Sequence, residues 1–276
     1  IIFNLINNYK ICYFIMKSLK YSKNFGGFMK IYILGNGAMA SAMAYGMKNK
    51  YEIIIVGRNS EKLSSLRKAG FKCEIYGEKY DISGKIVILA FKPYALSQMS
   101  KILSGKAEIL ISVMAGITLN DLKILKSDIS VVCMPNIAAK YGSSTTPYFS
   151  DSNDLRIDEI LGSFGGCVRL ENEKDLNAAG VLSGCVPAYL ALVAEALANG
   201  GVKEGLKKEI SQNLVNKVFE SSAKLLENFH PALLKEQVCS PGGTTIKGIF
   251  ELEKFKVRAA FMDAVEASCS KNSTKF

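Results

Sequence analysis

The chain has 276 residues, 49% of them hydrophobic, with no low-complexity tract, which allows a sizeable core in one or two domains and excludes a disordered or fibrous class. The formal charge is +10, but residues 1–28 hold four lysines and no acids, so the remainder carries +6 interleaved with Glu and Asp, and no nucleic-acid motif accompanies it. Seven cysteines without a CxxC pair and a single His offer little for a metal site and read as free thiols of a reducing cytoplasm, and the longest apolar stretches fall far short of the roughly 20 residues of a membrane span, so no transmembrane segment is expected.

Residues 1–28 begin with Ile, mix Asn, Tyr and Lys among apolar residues, and lead through Gly26-Gly27 to Met29. They lack the compact apolar run and small-residue cleavage site of a signal peptide. They read as an extension outside the fold, with Met29 as the natural start, and a chain beginning there is expected to keep fold and activity.

From Met29 the pattern alternates. KIYILG reads as a buried strand, followed by a helix from about Ala38 to Lys48; EIIIVG is a second strand, and SEKLSSLRKAG a helix closed by Gly70. FKCEIY gives a third strand and KIVILAF a fourth, with a helix opening at Pro93. EILISVM, a helix near LNDLKIL, and ISVVCMP continue the series. Continuous Ile/Val/Leu runs, each followed by a helix, indicate a parallel sheet covered on both faces. After about Glu171 no strand is expected. Leu190, Val193, Ala194 and Leu197 lie on one face of a helix that starts at Pro187 and ends at Gly200-Gly201. A long helix with Ile210, Leu214, Val218 and Leu225 on its apolar side runs to about Asn228, and helices cover roughly Thr244–Glu253 and Val257–Ser270. The expected fold is α/β: a Rossmann-type doubly wound sheet over 29–171, then an all-α domain over 172–276. The broad apolar faces of its long helices suggest a subunit interface.

Gly35-Asn36-Gly37-Ala38-Met39-Ala40 directly follows the first strand and opens the first helix. The first Gly permits the tight turn, the second lets backbone approach a pyrophosphate, and Ala40 keeps the packing position small. A helix N-terminus there favours the phosphate charge. An NAD site would place Asp or Glu about 20 residues further on; the sequence has Arg58-Asn59 instead, which suits a 2′-phosphate. NADPH is the expected cofactor, with NADH the lesser alternative and a plain surface role the alternative for Arg58.

Pro241-Gly242-Gly243-Thr244-Thr245 has two glycines that allow an unusual backbone path, and the amides that follow can bind a carboxylate at a helix start. The alternative is a helix N-terminus capped by Thr. His230 precedes Pro231 at a helix start and reads as a capping or packing residue. Tyr189 reads as core.

VCSPGGTTIKGIFELE at 238–253, Arg258 and AVEAS at 264–268, ALVAEALANGGVKEGL at 191–206, GNGAMA, AFKP at 90–93, SVMAGI at 112–117 and MPN at 134–136 occur in the order found in pyrroline-5-carboxylate reductases, which the chain resembles along most of 29–270. The resemblance implies NADPH-dependent reduction of a cyclic imine to proline, with Ser240, Gly242, Gly243, Thr244 and Thr245 holding the substrate and Thr245 facing the imine nitrogen. It further implies that Ala90, Lys92, Pro93 and Asn136 border the cofactor, a surface role remaining the alternative for Lys92. An intertwined dimer, often built into larger rings, with its active site between subunits, is also implied, and neither nucleic acid nor membrane is an expected partner. The family usually has LSGSGPAY where this chain has Leu182-Ser183-Gly184-Cys185-Val186-Pro187-Ala188-Tyr189, so Val186 is expected to crowd the site. Two other readings stay open: a non-catalytic or weakened NADP-binding paralogue, and a 3-hydroxyacid dehydrogenase-like enzyme, against which the missing Lys in SGCVPAYLALVAEAL argues.

Overall fold

The computed structural model describes residues 28–272, so most of the extension expected over 1–28 lies outside the described residues. The first half alternates strand and helix: β1 (Lys30–Leu34), α1 (Ala38–Met47), β2 (Glu52–Gly57), α2 (Ser60–Lys68) and β3 (Lys72–Ile75). A two-residue strand β4 (Tyr80–Asp81) precedes β5 (Ile86–Leu89), a 3-10 turn (Pro93–Ala95) and α3 (Leu96–Ile102). Then come β6 (Leu103–Ser104), β7 (Lys106–Ser112), the short α4 (Leu119–Leu122) and β8 (Lys126–Cys133). The helices end where the sequence stops them. After α2, Gly70 at φ +89 closes a Schellman turn, with Gly70 N donating to Arg67 O and Phe71 N to Leu66 O.

Eight strands form one sheet in the order β10-β9-β8-β7-β5-β1-β2-β3, and only the β8–β9 pairing is antiparallel. The apolar strands serve two faces at once. Ile31, Ile33, Ile55, Ile88 and Ile111 point into one core cluster, and Leu34, Val56, Val87, Leu89 and Leu110 into another. That two-sided burial is why these strands read as unbroken Ile/Val/Leu runs.

Besides the two-residue β4 and β6, which pair with each other, two strands of the large sheet escaped the sequence pattern: β9 (Ser144–Phe149) and, after α5 (Leu155–Leu161), β10 (Gly165–Arg169). Pro147 and the Gly165-Gly166 pair argue against strand locally. Here β9 meets β8 only at Val132–Phe149 and Cys133–Tyr148, so Pro147 lies beyond that ladder and needs no donor for it.

Past Arg169 every described element is helical: a 3-10 turn (Glu173–Asp175), then α6 (Leu176–Gly184), α7 (Val186–Lys203), α8 (Lys208–Leu226), α9 (Pro231–Val238), α10 (Thr244–Lys254) and α11 (Val257–Asn272). Gly200-Gly201 does not end α7, contrary to expectation. Gly201 is instead a contact point, where a Cβ would fall 2.3 Å from Ser211 Oγ, and Ser211 Oγ donates to Ala198 O at 2.7 Å. The terminator is Gly205 at φ +95, in a Schellman turn closed by Leu206 N donating to Gly201 O at 3.1 Å. By length and composition Glu173–Lys203 could cross a bilayer, at a hydropathy of 1.8, although no uninterrupted apolar run announces it. The stretch is divided at Cys185, and its apolar side chains continue an exposed layer that extends over α8, α10 and α11.

Candidate active site

The carboxyl ends of β1, β2 and β5 meet where the strand order reverses, the usual crevice of an open α/β sheet. Gly35 donates to Val56 O at 2.9 Å, and Ala90 donates to Leu34 O at 2.9 Å. Gly35 has φ +136, and a Cβ on it would lie 2.3 Å from Ala90 O. Only glycine admits this turn and this approach together. Gly37 is the N-cap of α1, extended, with no side chain capping the helix and open space where its Cβ would be. The first amides of α1 therefore remain available to an anion, and a dinucleotide pyrophosphate fits this cradle. Ala38 is exposed, Asn36 and Met39 are half-buried, and Ala40 is fully buried against the sheet.

Arg58 follows the last residue of β2 and is exposed. Burial raises the pKa of the Tyr76 hydroxyl, and the charge of Arg58 beside it draws the value back. Among the described residues no carboxylate pairs with Arg58. Asn59 Oδ1 accepts from Glu61 N at 2.8 Å, so this side chain starts α2. Lys92 is exposed and caps the Pro93–Ala95 turn through its carbonyl, which accepts from Ala95 N at 2.9 Å. Asn136 is buried, and both polar ends of its side chain are taken within the chain: Oδ1 accepts from Ala138 N and Nδ2 donates to Ser183 O, each at 3.0 Å. Its side-chain amide is therefore spent on bonds within the chain.

No motif announces a hollow of about 480 Å³ along the outer face of α1, between Ala38, Ser41 and Tyr45 on one side and Ile137, Lys140 and Tyr141 on the other. The wall formed by Ile137–Tyr141 is a 3-10 turn started by Asn136, which a sequence reader meets only as the end of MPN.

In the helical half, Ser240-Pro241-Gly242-Gly243 forms a tight turn. Gly243 N donates to Ser240 O at 3.0 Å, and Gly242 sits at φ +68, the type II position that requires glycine after Pro241. Gly243 is the N-cap of α10 and no side chain caps that end. Thr244 and Thr245 are the first two helical residues, the former exposed and the latter half-buried, so neither is the capping threonine that the alternative reading required. A Cβ on Gly243 would fall 2.4 Å from Ser240 Oγ. His230 is the N-cap of α9, its Nδ1 accepting from Ala232 N at 3.3 Å, and Tyr189 hydrogen-bonds Ser268 Oγ at 2.5 Å between α7 and α11.

The chain thus holds two glycine-started helices with free N-terminal amides, one at the sheet edge and one in the helical half. Among the described residues no hydrogen bond or ion pair joins Ser240–Thr245 to the nucleotide end within one chain.

The chain matches the family model of pyrroline-5-carboxylate reductase dimerisation over residues 173–275 and that of NADP oxidoreductase, coenzyme F420-dependent, over 30–116. It is 37% identical to the pyrroline-5-carboxylate reductase of Helicobacter pylori strain J99, over 86% of this chain and 96% of that one. Its fold superposes on 1-pyrroline-5-carboxylate reductase from Streptococcus pyogenes with a TM-score of 0.77 at 31% identity, covering 88% of this chain and 98% of the other. Plasmodium falciparum pyrroline carboxylate reductase with NADP bound gives a TM-score of 0.74 at 29% identity, with coverage of 88% and 98%.

Proposed function

This chain belongs to the pyrroline-5-carboxylate reductase family, and we propose that it reduces 1-pyrroline-5-carboxylate to L-proline with NADPH, as a cytoplasmic homo-oligomer whose helical half forms the dimer. The reading is carried by the Ser240–Thr245 turn. A plain dinucleotide-binding protein has no use for a second uncapped helix start with a hydroxyl on its first turn, whereas an enzyme acting on an imino acid needs a cradle for the carboxylate and a polar group near the nitrogen.

When bound, NADPH supplies the hydride. Gly35, Gly37 and the first turn of α1 hold the pyrophosphate, and Arg58 pairs with the 2′-phosphate where an NAD site would carry an acid. Ala90, Lys92 and Pro93 border the same crevice. The amides of Thr244 and Thr245 bind the substrate carboxylate at the positive end of α10. The Thr245 hydroxyl orients the imine nitrogen, on which electron density accumulates as the carbon is reduced, and the proton reaches that nitrogen from solvent or with an already protonated substrate. In this reading, as the family resemblance implies, one copy supplies the crevice and another the turn, and dimers can assemble further into rings.

The test is proline formation by the purified protein from 1-pyrroline-5-carboxylate, with NADPH and NADH in parallel. Proline is expected with both and faster with NADPH. No proline with either cofactor would instead leave the NADP-binding paralogue, a reading favoured by Cys185 and Val186 at the α6–α7 joint.

A further inference from the structure

Ser183 lies in α6, just before Cys185, where α6 gives way to α7. In a continuous helix its carbonyl would accept from the amide of the residue four positions on, which is Pro187 and has no amide hydrogen. The missing donor comes from 47 residues away, as Asn136 Nδ2 donates to Ser183 O at 3.0 Å. The other end of that amide accepts from Ala138 N at 3.0 Å and starts the turn that walls the hollow beside α1. Asn136 N donates to Ser144 Oγ at 3.0 Å, which anchors the residue to β9. Ser183 returns the contact, its Oγ donating to Met134 O at 2.9 Å. Gly180, one turn earlier, admits Met134 so closely that a Cβ there would fall 2.9 Å from Met134 Cγ. Asn136 is 8% exposed and Ser183 4%, so water does not compete for these bonds.

We infer that Asn136 is a positioning residue. Its amide ties the end of the sheet and the turn beside α1 to the α6–α7 joint, and so fixes the direction in which α7 carries the dimer-forming helices away from the nucleotide crevice. This goes beyond the reductase reading and rests on it only for the turnover arm of the test.

Asn136→Asp keeps the acceptor that starts the turn, removes the donor to Ser183, and sets a carboxylate against that carbonyl. The kcat for imine reduction should fall roughly ten- to hundred-fold, since a misplacement of about 1 Å can cost that much. The Kd for NADPH, read by fluorescence titration, should not change. Relative to wild type, the deficit should narrow as pH falls from about 8 to about 5.5, because a protonated carboxyl can again donate to Ser183 O. Amides in 184–189 should exchange with deuterium faster than in wild type. Should this variant fail to fold, Ser183→Ala, which removes the hydroxyl's bonds to Met134 O and Gly180 O, should lower kcat and speed exchange at smaller amplitude, without the pH dependence. A raised Kd with unchanged kcat would place Asn136 at the cofactor and overturn the inference, as would unchanged kcat and exchange in a folded variant. A wild-type protein that makes no proline sinks the reductase reading alone, and the exchange comparison still decides the role of Asn136.

Discussion

The strands of the first half bury Ile31, Ile55 and Ile88 completely, whereas the helices of the second leave Leu192 at 67%, Phe250 at 68% and Phe255 at 74% exposed. Among the described residues beyond Arg169, the buried hydrophobic ones are Val181 and Ala198, both small for a core. Hydrophobic patterning is strong in both regions, so the difference lies in what covers the apolar faces. The sheet is covered by its own helices within one chain. The helical half, over which the dimerisation model matches, leaves its apolar faces uncovered within one chain, as a surface for a second copy would. If a second copy covers those faces, folding of the second half and association of the chain are coupled.

The contrast breaks most visibly at Leu214, which is exposed in the single chain. If α8 faces a partner, Leu214→Lys buries an unpaired charge in each copy, at about 3–5 kcal/mol apiece. Light scattering should then show loss of the dimer, with loss of imine reduction. An intact, active dimer would mean that α8 is a solvated face.

On the other side of the comparison stands Ile88, fully buried in the sheet. Ile88→Ala should destabilise the fold by about 2–5 kcal/mol. Urea unfolding followed by circular dichroism at two protein concentrations separates the halves. The sheet transition should move with the mutation and not with concentration, and the helical transition should move with concentration. A single transition independent of concentration would erase the distinction.

The two threonines ask whether the half without its own core nevertheless carries chemistry. Thr245→Val keeps the shape of the side chain and removes only the hydroxyl, and turnover should drop by roughly 10². Thr244→Val should cost less, measured as initial rates at saturating NADPH. The reverse order would mean that the exposed hydroxyl of Thr244 is the one that meets the substrate.

The smallest effect is expected at the carboxyl end of β2. Arg58→Asp should erase or invert the preference for NADPH over NADH, a change of roughly tenfold or more, since a hydrogen bond to a charged group is worth about 1.5–3 kcal/mol. Equal kcat/KM for the two cofactors in the wild type would remove Arg58 from the argument.

Much of this was legible in the residues alone. The inner strands announce themselves because a strand buried on both faces must be apolar at every position, and Gly35 and Gly242 because close approach or a left-handed backbone leaves no other residue possible. The same logic failed for β9 and β10. Their Pro147 and Gly165 are poor strand residues, tolerated because pairing with β8 is short and β10 lies at the sheet edge. It also misread Gly201, whose small size serves a helix crossing and not a helix end. The proline at 187 did carry a readable signal, since it leaves the carbonyl of Ser183 without a helical donor.

By itself, then, the sequence determined the alternation of the first half, the glycine turns at both helix starts, and the all-helical character of the second half, because each follows from backbone geometry within a few residues. Only the tertiary structure decided that the Asn136 side chain is spent on Ser183, 47 positions away, and that the apolar faces of α7, α8 and α10 lie uncovered in one chain. Those outcomes depend on which surfaces meet in space, and hydrophobic periodicity marks an apolar face without naming its partner.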